Sequence, residues 1–201
     1  MPAEPGRVRP GGRTARVRAA VLAAAGDALA EHGMAGLDLA DVARRAEVGK
    51  TTVYRRWGSV PALVADLLED MAEQSLPRVE TGSLLEDLLA NARLVRRTLV
   101  DPRQGALFKA VIAAAACDDR TADALHRFYA ARIAEWAPCV GQAVGRGEVP
   151  PGTDAEEVVR AVSAPLYYRL LASGGPLDEA AARRSARAAF EAARAGVFVS
   201  R

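Results

Sequence analysis

Hydrophobic residues recur at intervals of three and four along most of the chain, which is the spacing of amphipathic helices. Alternation of polar and β-branched residues, which is typical of strands, is absent, and alanine, the strongest helix former, is abundant. The pattern therefore predicts an all-α protein of about nine helices. The predicted helices begin near Thr14, Asp38, Lys50, Ser59, Ser83, Asp101, Asp119, Asp154 and Asp178.

Residues that cap or bend helices lie at the expected places in this pattern. Ser59 and Asp101 precede apolar stripes and can accept hydrogen bonds from the first free backbone N–H groups. Ser83-Leu84-Leu85-Glu86 has the spacing of a capping box. The helix that starts near Asp119 runs towards Arg146, and we expect Pro138 to kink it.

The stretch from Leu37 to Leu68 predicts two short helices around a tight turn. Val42, Ala43 and Val53 are spaced to pack these helices together, and Trp57 is placed to contact the first and fourth helices. The outer face of the second short helix is cationic and hydroxylated. It carries Lys50, Thr51, Thr52, Tyr54, Arg55 and Arg56. Such a helix suits the major groove of double-stranded DNA, where cations meet phosphates and polar side chains meet base edges.

Individual contacts follow from position along this helix, since residues near the N-terminus of a recognition helix reach base edges. We assign base contacts to Lys50, Thr51 and Arg55. We assign phosphate contacts to Thr52, Tyr54 and Arg56. Weaker phosphate candidates are Arg44, Arg45, Arg13 and Arg16. The alternative is that the cations merely form a solvated helix face.

The distribution of charge favours the DNA interpretation, although the net charge of the whole chain is only +2. Residues 1–58 hold ten Lys and Arg against six Asp and Glu, whereas residues 59–201 hold seventeen against nineteen. The first quarter therefore carries +4 and the remainder −2. We predict a disordered basic arm at 1–13, a helix-turn-helix domain at 14–58 and a ligand-sensing and dimerisation domain at 59–201.

Large apolar and aromatic side chains cluster on the middle helices, and a wall of such residues suits a small hydrophobic effector. The candidate lining residues are Phe108, Ile112, Phe128, Tyr129, Ile133 and Trp136, with Arg132 and His126 as polar groups that could orient a ligand. Each residue taken alone is better explained as ordinary core than as a ligand contact, because aromatic residues at helical spacing fill cores.

The last two helices carry stripes that could pair two copies of the chain into a homodimer. One stripe contains Val159, Val162, Leu166 and Leu170, and the other contains Ala182, Ala186, Ala189, Phe190 and Ala193. Their small residues would allow helices to approach closely. The alternative is an intramolecular core.

Other classes of protein are poorly supported. No apolar run reaches the length of a membrane span, and the N-terminus lacks the apolar centre of a secretory signal, so we expect a cytoplasmic protein. Cys117 and Cys139 fit buried thiols. With His32 and His126 as the only histidines, and without a Gly-rich phosphate loop or a metal-ligand cluster, we expect neither enzyme activity, nor a cofactor, nor a metal site. A helical adaptor that binds a partner protein instead of DNA remains an alternative.

Several motifs resemble the tetracycline-repressor (TetR) family of transcription regulators. In the N-terminal part these are Ala30-Glu31-His32-Gly33, Asp41-Val42-Ala43 and Val48…Thr52-Val53-Tyr54…Trp57. A weaker resemblance to one C-terminal domain type of the family rests on Thr81-Gly82-Ser83, Asp101-Pro102-Arg103, Arg146-Gly147-Glu148 and Pro165-Leu166-Tyr167-Tyr168.

The resemblance implies a one-component regulator, usually a repressor, that binds a near-palindromic operator as a homodimer and is released by an effector. It also implies pairing through the last two helices and an effector cavity among the middle helices. Four positions depart from the family pattern. Glu47 replaces the usual glycine of the turn, so Gly49 is expected to supply its flexibility, and Val60 stands where many members carry a phosphate-binding lysine. Arg56 replaces the common histidine and Trp57 the common phenylalanine, and both keep the chemistry of the residue they replace.

Overall fold

The computed structural model describes residues 12–199. Ten α-helices lie in this range: α1 Gly12–His32, α2 Leu39–Arg45, α3 Lys50–Trp57, α4 Val60–Glu73, α5 Leu84–Val100, α6 Pro102–Ala115, α7 Asp119–Trp136, α8 Pro138–Arg146, α9 Ala155–Tyr168 and α10 Glu179–Arg194. A short 3-10 turn follows α1, and a π-helical turn follows α9. Apart from one antiparallel bridge between Thr153 and Val199, the regular structure of these residues is helical. The predicted all-α class is confirmed.

The count of ten agrees with the predicted nine once the kink is considered. The long helix predicted from Asp119 to Arg146 is interrupted at Ala137, and Pro138 begins α8. Proline lacks the backbone N–H that an uninterrupted helix would use. At the N-terminus, α1 begins at Gly12, two residues before the predicted start. Residues 1–11 of the predicted disordered arm lie outside the described residues.

Most predicted caps form, but the capping box does not. Asp38, Ser59, Asp101, Asp154 and Asp178 each accept a hydrogen bond from the first turn of the helix that follows. The side chain of Ser83 makes no such bond.

The N-terminus of α5 is capped from a distant part of the chain. The backbone N–H of Leu84 donates to Glu148 Oε2 at 2.8 Å, and the carboxylate of Asp87 accepts from the N–H and the hydroxyl of Thr81, each at 2.8 Å. The Ser83 prediction was wrong, and the cap that forms comes from Glu148 in the loop after α8.

The first three helices form an N-terminal head, and the helices from α5 onward form a body. In the body, α10 packs against α5 and α9, and α6 packs against α7. The head joins the body in two ways: α4 continues from the head and packs along α7, and α1 packs against α6. A single hydrophobic core runs through these contacts.

The contact between α1 and α6 depends on a close approach at Gly26. Arg103 at the start of α6 donates to the carbonyl of Ala23 at 3.0 Å and forms an ion pair with Asp27. A Cβ at position 26 would lie 2.6 Å from the Arg103 guanidinium. Glycine therefore leaves the space through which this arginine reaches the α1 backbone.

The stripes predicted for dimerisation are mostly core of the single chain. Seven of the nine side chains are buried within it: Val159, Val162, Leu166, Ala182, Ala186, Ala189 and Ala193. Leu170 and Phe190 are half-buried and pack on the same core. The seven buried side chains therefore pack within the chain and not on a pairing surface, because α10 turns its small residues towards α5 and α9. The pairing role of Leu170 and Phe190 stays a prediction. The hydroxyl of Ser185 even donates to the Val162 carbonyl at 2.5 Å.

The two cysteines lie in different surroundings. Cys139 is buried in α8, and burial raises the pKa of its thiol to about 11, so it is an unreactive packing residue. Cys117 is exposed in the turn after α6, which contradicts the prediction of a buried thiol.

Within residues 12–199, no helix combines the length and the apolar character that a bilayer crossing requires.

Replacing either of two helical glycines by alanine should change the free energy of unfolding in opposite directions. A Cβ on Gly105 of α6 would lie 2.5 Å from the Leu99 carbonyl oxygen, whereas one on Gly141 of α8 would meet nothing within 4 Å. We expect Gly105→Ala to lower the free energy of unfolding by about 1–3 kcal/mol, as overpacking does. Gly141→Ala should raise it by about 0.5–1 kcal/mol because alanine favours helix. Urea denaturation measures both, and an equal effect of the two substitutions would contradict this packing.

Candidate nucleic-acid interface and internal cavity

The turn between α2 and α3 is closed by backbone hydrogen bonds and by one strained residue. The N–H of Val48 donates to the Ala43 carbonyl at 2.9 Å, and that of Glu47 donates to the Arg44 carbonyl at 3.2 Å. This pattern is a Schellman ending, which needs a left-handed residue just after the helix. Glu47 takes that conformation, with φ 54°. The expectation for Gly49 was wrong, since its φ of −59° is open to any residue.

The inner side of α3 is held by packing and by a buried tryptophan. Val53 is fully buried, and Trp57 is 7 % exposed. The indole N–H of Trp57 donates to Asp66 Oδ2 on α4 at 2.8 Å. The predicted contact of Trp57 with the fourth helix is therefore present.

Arg18 extends this contact to α1. Its guanidinium donates to Asp66 Oδ1 at 2.6 Å and to Asp70 Oδ1 at 2.5 Å. Burial alone would raise the pKa of Asp66, but the hydrogen bonds from Arg18 and Trp57 outweigh it and lower the pKa. Asp66 is thus held as a carboxylate that joins three helices. Neither Arg18 nor Asp66 was predicted, although acids at positions 66 and 70 share one face of α4.

The outer face of α3 carries the residues predicted to bind DNA. Its exposed members are Lys50, Thr51, Tyr54, Arg55 and Arg56, and Thr52 is half-buried. The guanidinium carbon of Arg56 lies 5.1 Å from the centre of the Trp57 ring, which is cation–π distance. Among residues 12–199, neither Lys50 nor Arg55 has an acidic partner within ion-pair distance. The charges of these two residues are therefore available to an external anion.

The two arginines predicted on α2 are already paired. Arg44 forms an ion pair with Asp41, and Arg45 lies 2.7 Å from both Asp41 and Glu31. The hydrogen bonds from Arg45 and Arg44 lower the pKa of Asp41, so that it remains ionised. Phosphate binding by either arginine would have to compete with these carboxylates, which makes both weaker candidates than the α3 cations. Arg13 and Arg16 are exposed on α1.

A partly open cavity of about 550 Å³ lies among the body helices. All seven side chains proposed as ligand contacts line it: Phe108, Ile112, Phe128, Tyr129, Arg132, Ile133 and Trp136. His126 lines it as well, from an exposed position. The sequence pattern did not indicate the contributions of α5 and α9, which include Asn91, Val95, Ser163 and Tyr167.

One wall of the cavity is a continuous aromatic cluster. The ring centres of Phe108 and Phe128 are 5.4 Å apart, as are those of Phe128 and Tyr129 and those of Tyr129 and Tyr167. The last pair meets edge to face at 90°. Burial raises the pKa of Tyr167 to about 12 and also raises that of Tyr129, so both phenols stay neutral. The wall is uncharged and suited to contact with another ring.

Two family models match the chain. The first, described as "Bacterial regulatory proteins, tetR family", matches residues 21–67. The second, described as "Tetracyclin repressor-like, C-terminal domain", matches residues 78–189, which is more than half of the chain. The chain belongs to the TetR family.

Individual TetR-family proteins are similar over most of their length. The HTH-type transcriptional regulator YdeS of Bacillus subtilis is 29 % identical over 177 residues, covering 88 % of this chain and 89 % of the relative. The DNA-binding transcriptional repressor TetR of Mycobacteroides abscessus is 32 % identical, covering 81 % and 85 %. Among solved structures, the TetR family regulator SCO0332 is 32 % identical with a TM-score of 0.71, covering 88 % of this chain and 97 % of that one.

Membership of the TetR family settles the class of function. The chain is a helix-turn-helix, DNA-binding transcriptional regulator, and its relatives are regulators and not enzymes. The predictions of family, fold and class of function are confirmed at this level. The roles of individual side chains stay predictions.

The left-handed residue of the turn gives a test of the local geometry. Glu47→Gly should raise the free energy of unfolding by about 1 kcal/mol, because glycine adopts positive φ without a steric penalty. Differential scanning calorimetry measures this effect, and Glu47→Ala, which keeps a Cβ, is the matched control. A gain with alanine equal to that with glycine would show that the charge of Glu47, and not its backbone conformation, is responsible.

Proposed function

We propose that this TetR-family regulator is a homodimeric repressor that binds a near-palindromic operator and releases it when a small hydrophobic effector fills the body cavity. The observation that supports this most directly is the division of α3 into two faces. Its apolar face is buried against α2 and α4, while its cationic and hydroxylated face is exposed. Burial fixes the direction in which the exposed face points, as a DNA-reading helix requires.

In this proposal, Lys50, Thr51 and Arg55 contact base edges, and Lys or Arg to guanine is the commonest specific contact. Thr52, Tyr54 and Arg56 contact phosphates and set the register on the duplex. Val60, next to the Ser59 cap of α4, provides no charge. The proposal therefore includes no phosphate contact at position 60, where many family members make one.

Two copies are needed because an α3 of eight residues reaches only one half-site. The pairing surface proposed here is the exposed side of α9, since its inner side is core. Tyr168 is 64 % exposed and Leu171, in the π-turn, is 46 % exposed. Pro165 is exposed one turn before Tyr168, which gives α9 an apolar outer strip. Large exposed apolar groups in one patch commonly mark an interface.

The effector would act through α4, which extends from the head and packs along α7 of the cavity wall. A ligand that prefers one position of α7 shifts the equilibrium between two arrangements of the heads. It can shift it only by the difference between its affinities for those arrangements. We propose that the liganded arrangement holds the two α3 helices at a separation that does not match successive major grooves.

A helical adaptor that binds a protein instead of DNA has no support from the family, but it gives a useful contrast. Neutralisation of phosphates makes DNA affinity fall steeply with salt concentration. An adaptor would show no such dependence with DNA. The slope of log affinity against log salt concentration, measured with the DNA upstream of the regulator's own gene, separates the two functions.

Arg55→Gln and Arg56→Gln should have different effects on DNA binding. Loss of a base contact at Arg55 should weaken binding to the preferred operator by about 1–3 kcal/mol and relax the preference at one base pair. Loss of a phosphate contact at Arg56 should weaken binding to all sequences alike and reduce the salt slope by about 1. Fluorescence anisotropy with an operator and its single-base variants measures both effects.

Arg187→Gln on the exposed side of α10, far along the chain from the head, is the control for these variants and should bind like the wild type. If Arg55→Gln kept full discrimination among the operator variants, the assignment of Arg55 to base contact would be wrong.

Tyr168→Glu should weaken the dimer by burying a charge in the proposed interface, a change that costs several kcal/mol unless the charge is paired. Sedimentation equilibrium should then show monomers at concentrations where the wild type is dimeric. Val100→Glu is the matched control, because Val100 is 45 % exposed at the end of α5 and is not part of the proposed α9 strip. An unchanged association constant for Tyr168→Glu would exclude this face of α9.

A further inference from the structure

The charged side chains that line the cavity are all cationic. Arg132 and Arg160 are the charged members of the wall, with His126 beside them. Within residues 12–199, no aspartate or glutamate lines this cavity. Among the described residues, the rest of the wall is apolar, aromatic or uncharged and polar, so the cavity offers positive charge and no negative charge to a ligand.

The two arginines differ in what already binds them. Arg160 is exposed and lies 2.6 Å from Glu156 and 2.7 Å from Glu157. Arg132 is half-buried and has no carboxylate within ion-pair distance among the described residues. Its hydrogen bond is a long one, 3.4 Å to the carbonyl oxygen of Leu76. Arg132 is therefore the lining arginine whose guanidinium has no carboxylate partner within the described chain.

The electrostatic setting of Arg132 leaves room for an anion. Burial lowers the pKa of Arg132, and the charge of Glu135 offsets this only in part. Glu135 is itself engaged, since its Oε1 accepts the backbone N–H of Arg78 at 3.1 Å. A guanidinium that is partly withdrawn from water gains most from a carboxylate, whose two oxygens match its paired N–H groups.

Arg132 lies next to the aromatic wall on the same helix. Tyr129 precedes it by three residues and Trp136 follows it by four, so the three side chains share one face of α7. An aromatic surface and a guanidinium without a carboxylate partner thus meet in one space.

We propose that the effector is an amphipathic anion, namely a carboxylic acid built on two or three fused rings, whose carboxylate pairs with Arg132 while its rings lie against the aromatic wall. This inference rests on the proposed function and names the chemical class of its ligand. A cavity of about 550 Å³ is large enough for such a molecule.

The pairing of the ligand with Arg132 also explains how binding would be transmitted outside the cavity. Leu76, which shares Arg132 with the ligand, lies three residues after the end of α4. A carboxylate competes with the Leu76 carbonyl for the guanidinium and withdraws a hydrogen bond from the segment that joins α4 to α5. Neutral ligands of the same shape would leave that hydrogen bond in place.

The test compares acids with neutral isosteres on the full chain. The probes are 2-naphthoate and anthracene-2-carboxylate, each paired with its primary carboxamide, and isothermal titration calorimetry measures their dissociation constants. Charge-assisted pairing predicts that each acid binds the wild type about 10- to 100-fold more tightly than its amide. Arg132→Gln should abolish this preference, and Arg132→Lys should retain part of it.

Arg127→Gln is the matched control, because Arg127 is an exposed arginine on the same helix that does not line this cavity. It should keep the full preference for acids. Circular dichroism checks that Arg132→Gln is folded. If that variant does not fold, the comparison of acid with amide on the wild type and on Arg132→Lys still decides the proposal.

The outcomes separate this inference from the proposed function. Equal affinity for acid and amide, or no binding of either acid, overturns the anionic class. A preference for acids that survives Arg132→Gln overturns the role of Arg132. Operator binding by the unliganded wild type is measured in the same preparation. If the wild type binds the operator but neither acid binds or is preferred over its amide, the proposed regulator function is retained and only the anionic ligand class is rejected.

Discussion

The carboxylate of Asp66 is the contact on which the DNA-reading surface depends. It accepts from the Trp57 indole on one side and from Arg18 on the other, so α3, α4 and α1 meet at one group. An eight-residue helix is too short to be stable alone in water. Its outer face therefore has a defined direction because Val53 is buried and its last residue, Trp57, is fixed to α4, the helix that also packs along α7.

The elements of the fold could be predicted from the sequence because their signals are local. Apolar spacing located the helices, and acidic or hydroxyl residues just before them became caps. Where the deciding partner is distant in sequence, the prediction was wrong: α5 is capped by Glu148, 64 residues from Leu84. The turn at Glu47 is a different case, since a residue with a Cβ was not expected to adopt positive φ while Gly49 stood nearby.

The predictions of the candidate sites also succeeded where the signal is local and failed where the partner is distant in sequence. Residues of α6 and α7 were correctly placed around the cavity because large aromatic side chains on adjacent helices leave space between them. Tyr167 and Asn91 were missed because nothing local shows that α9 and α5 close the same space. The stripes on α9 and α10 were interpreted as a pairing surface because periodicity identifies a buried face but not the partner that buries it. That partner is α5 of the same chain.

The approach of Arg103 to the α1 backbone at Gly26 has a mechanical consequence. Two contacts join the head to the body: α1 packs on α6, and α4 packs along α7. Because the head is fixed at both contacts, a displacement at one of them rotates the head about the other. A displacement of α4 by a fraction of a helical turn would then be magnified at the far end of the head, and the α1–α6 junction would serve as its fulcrum.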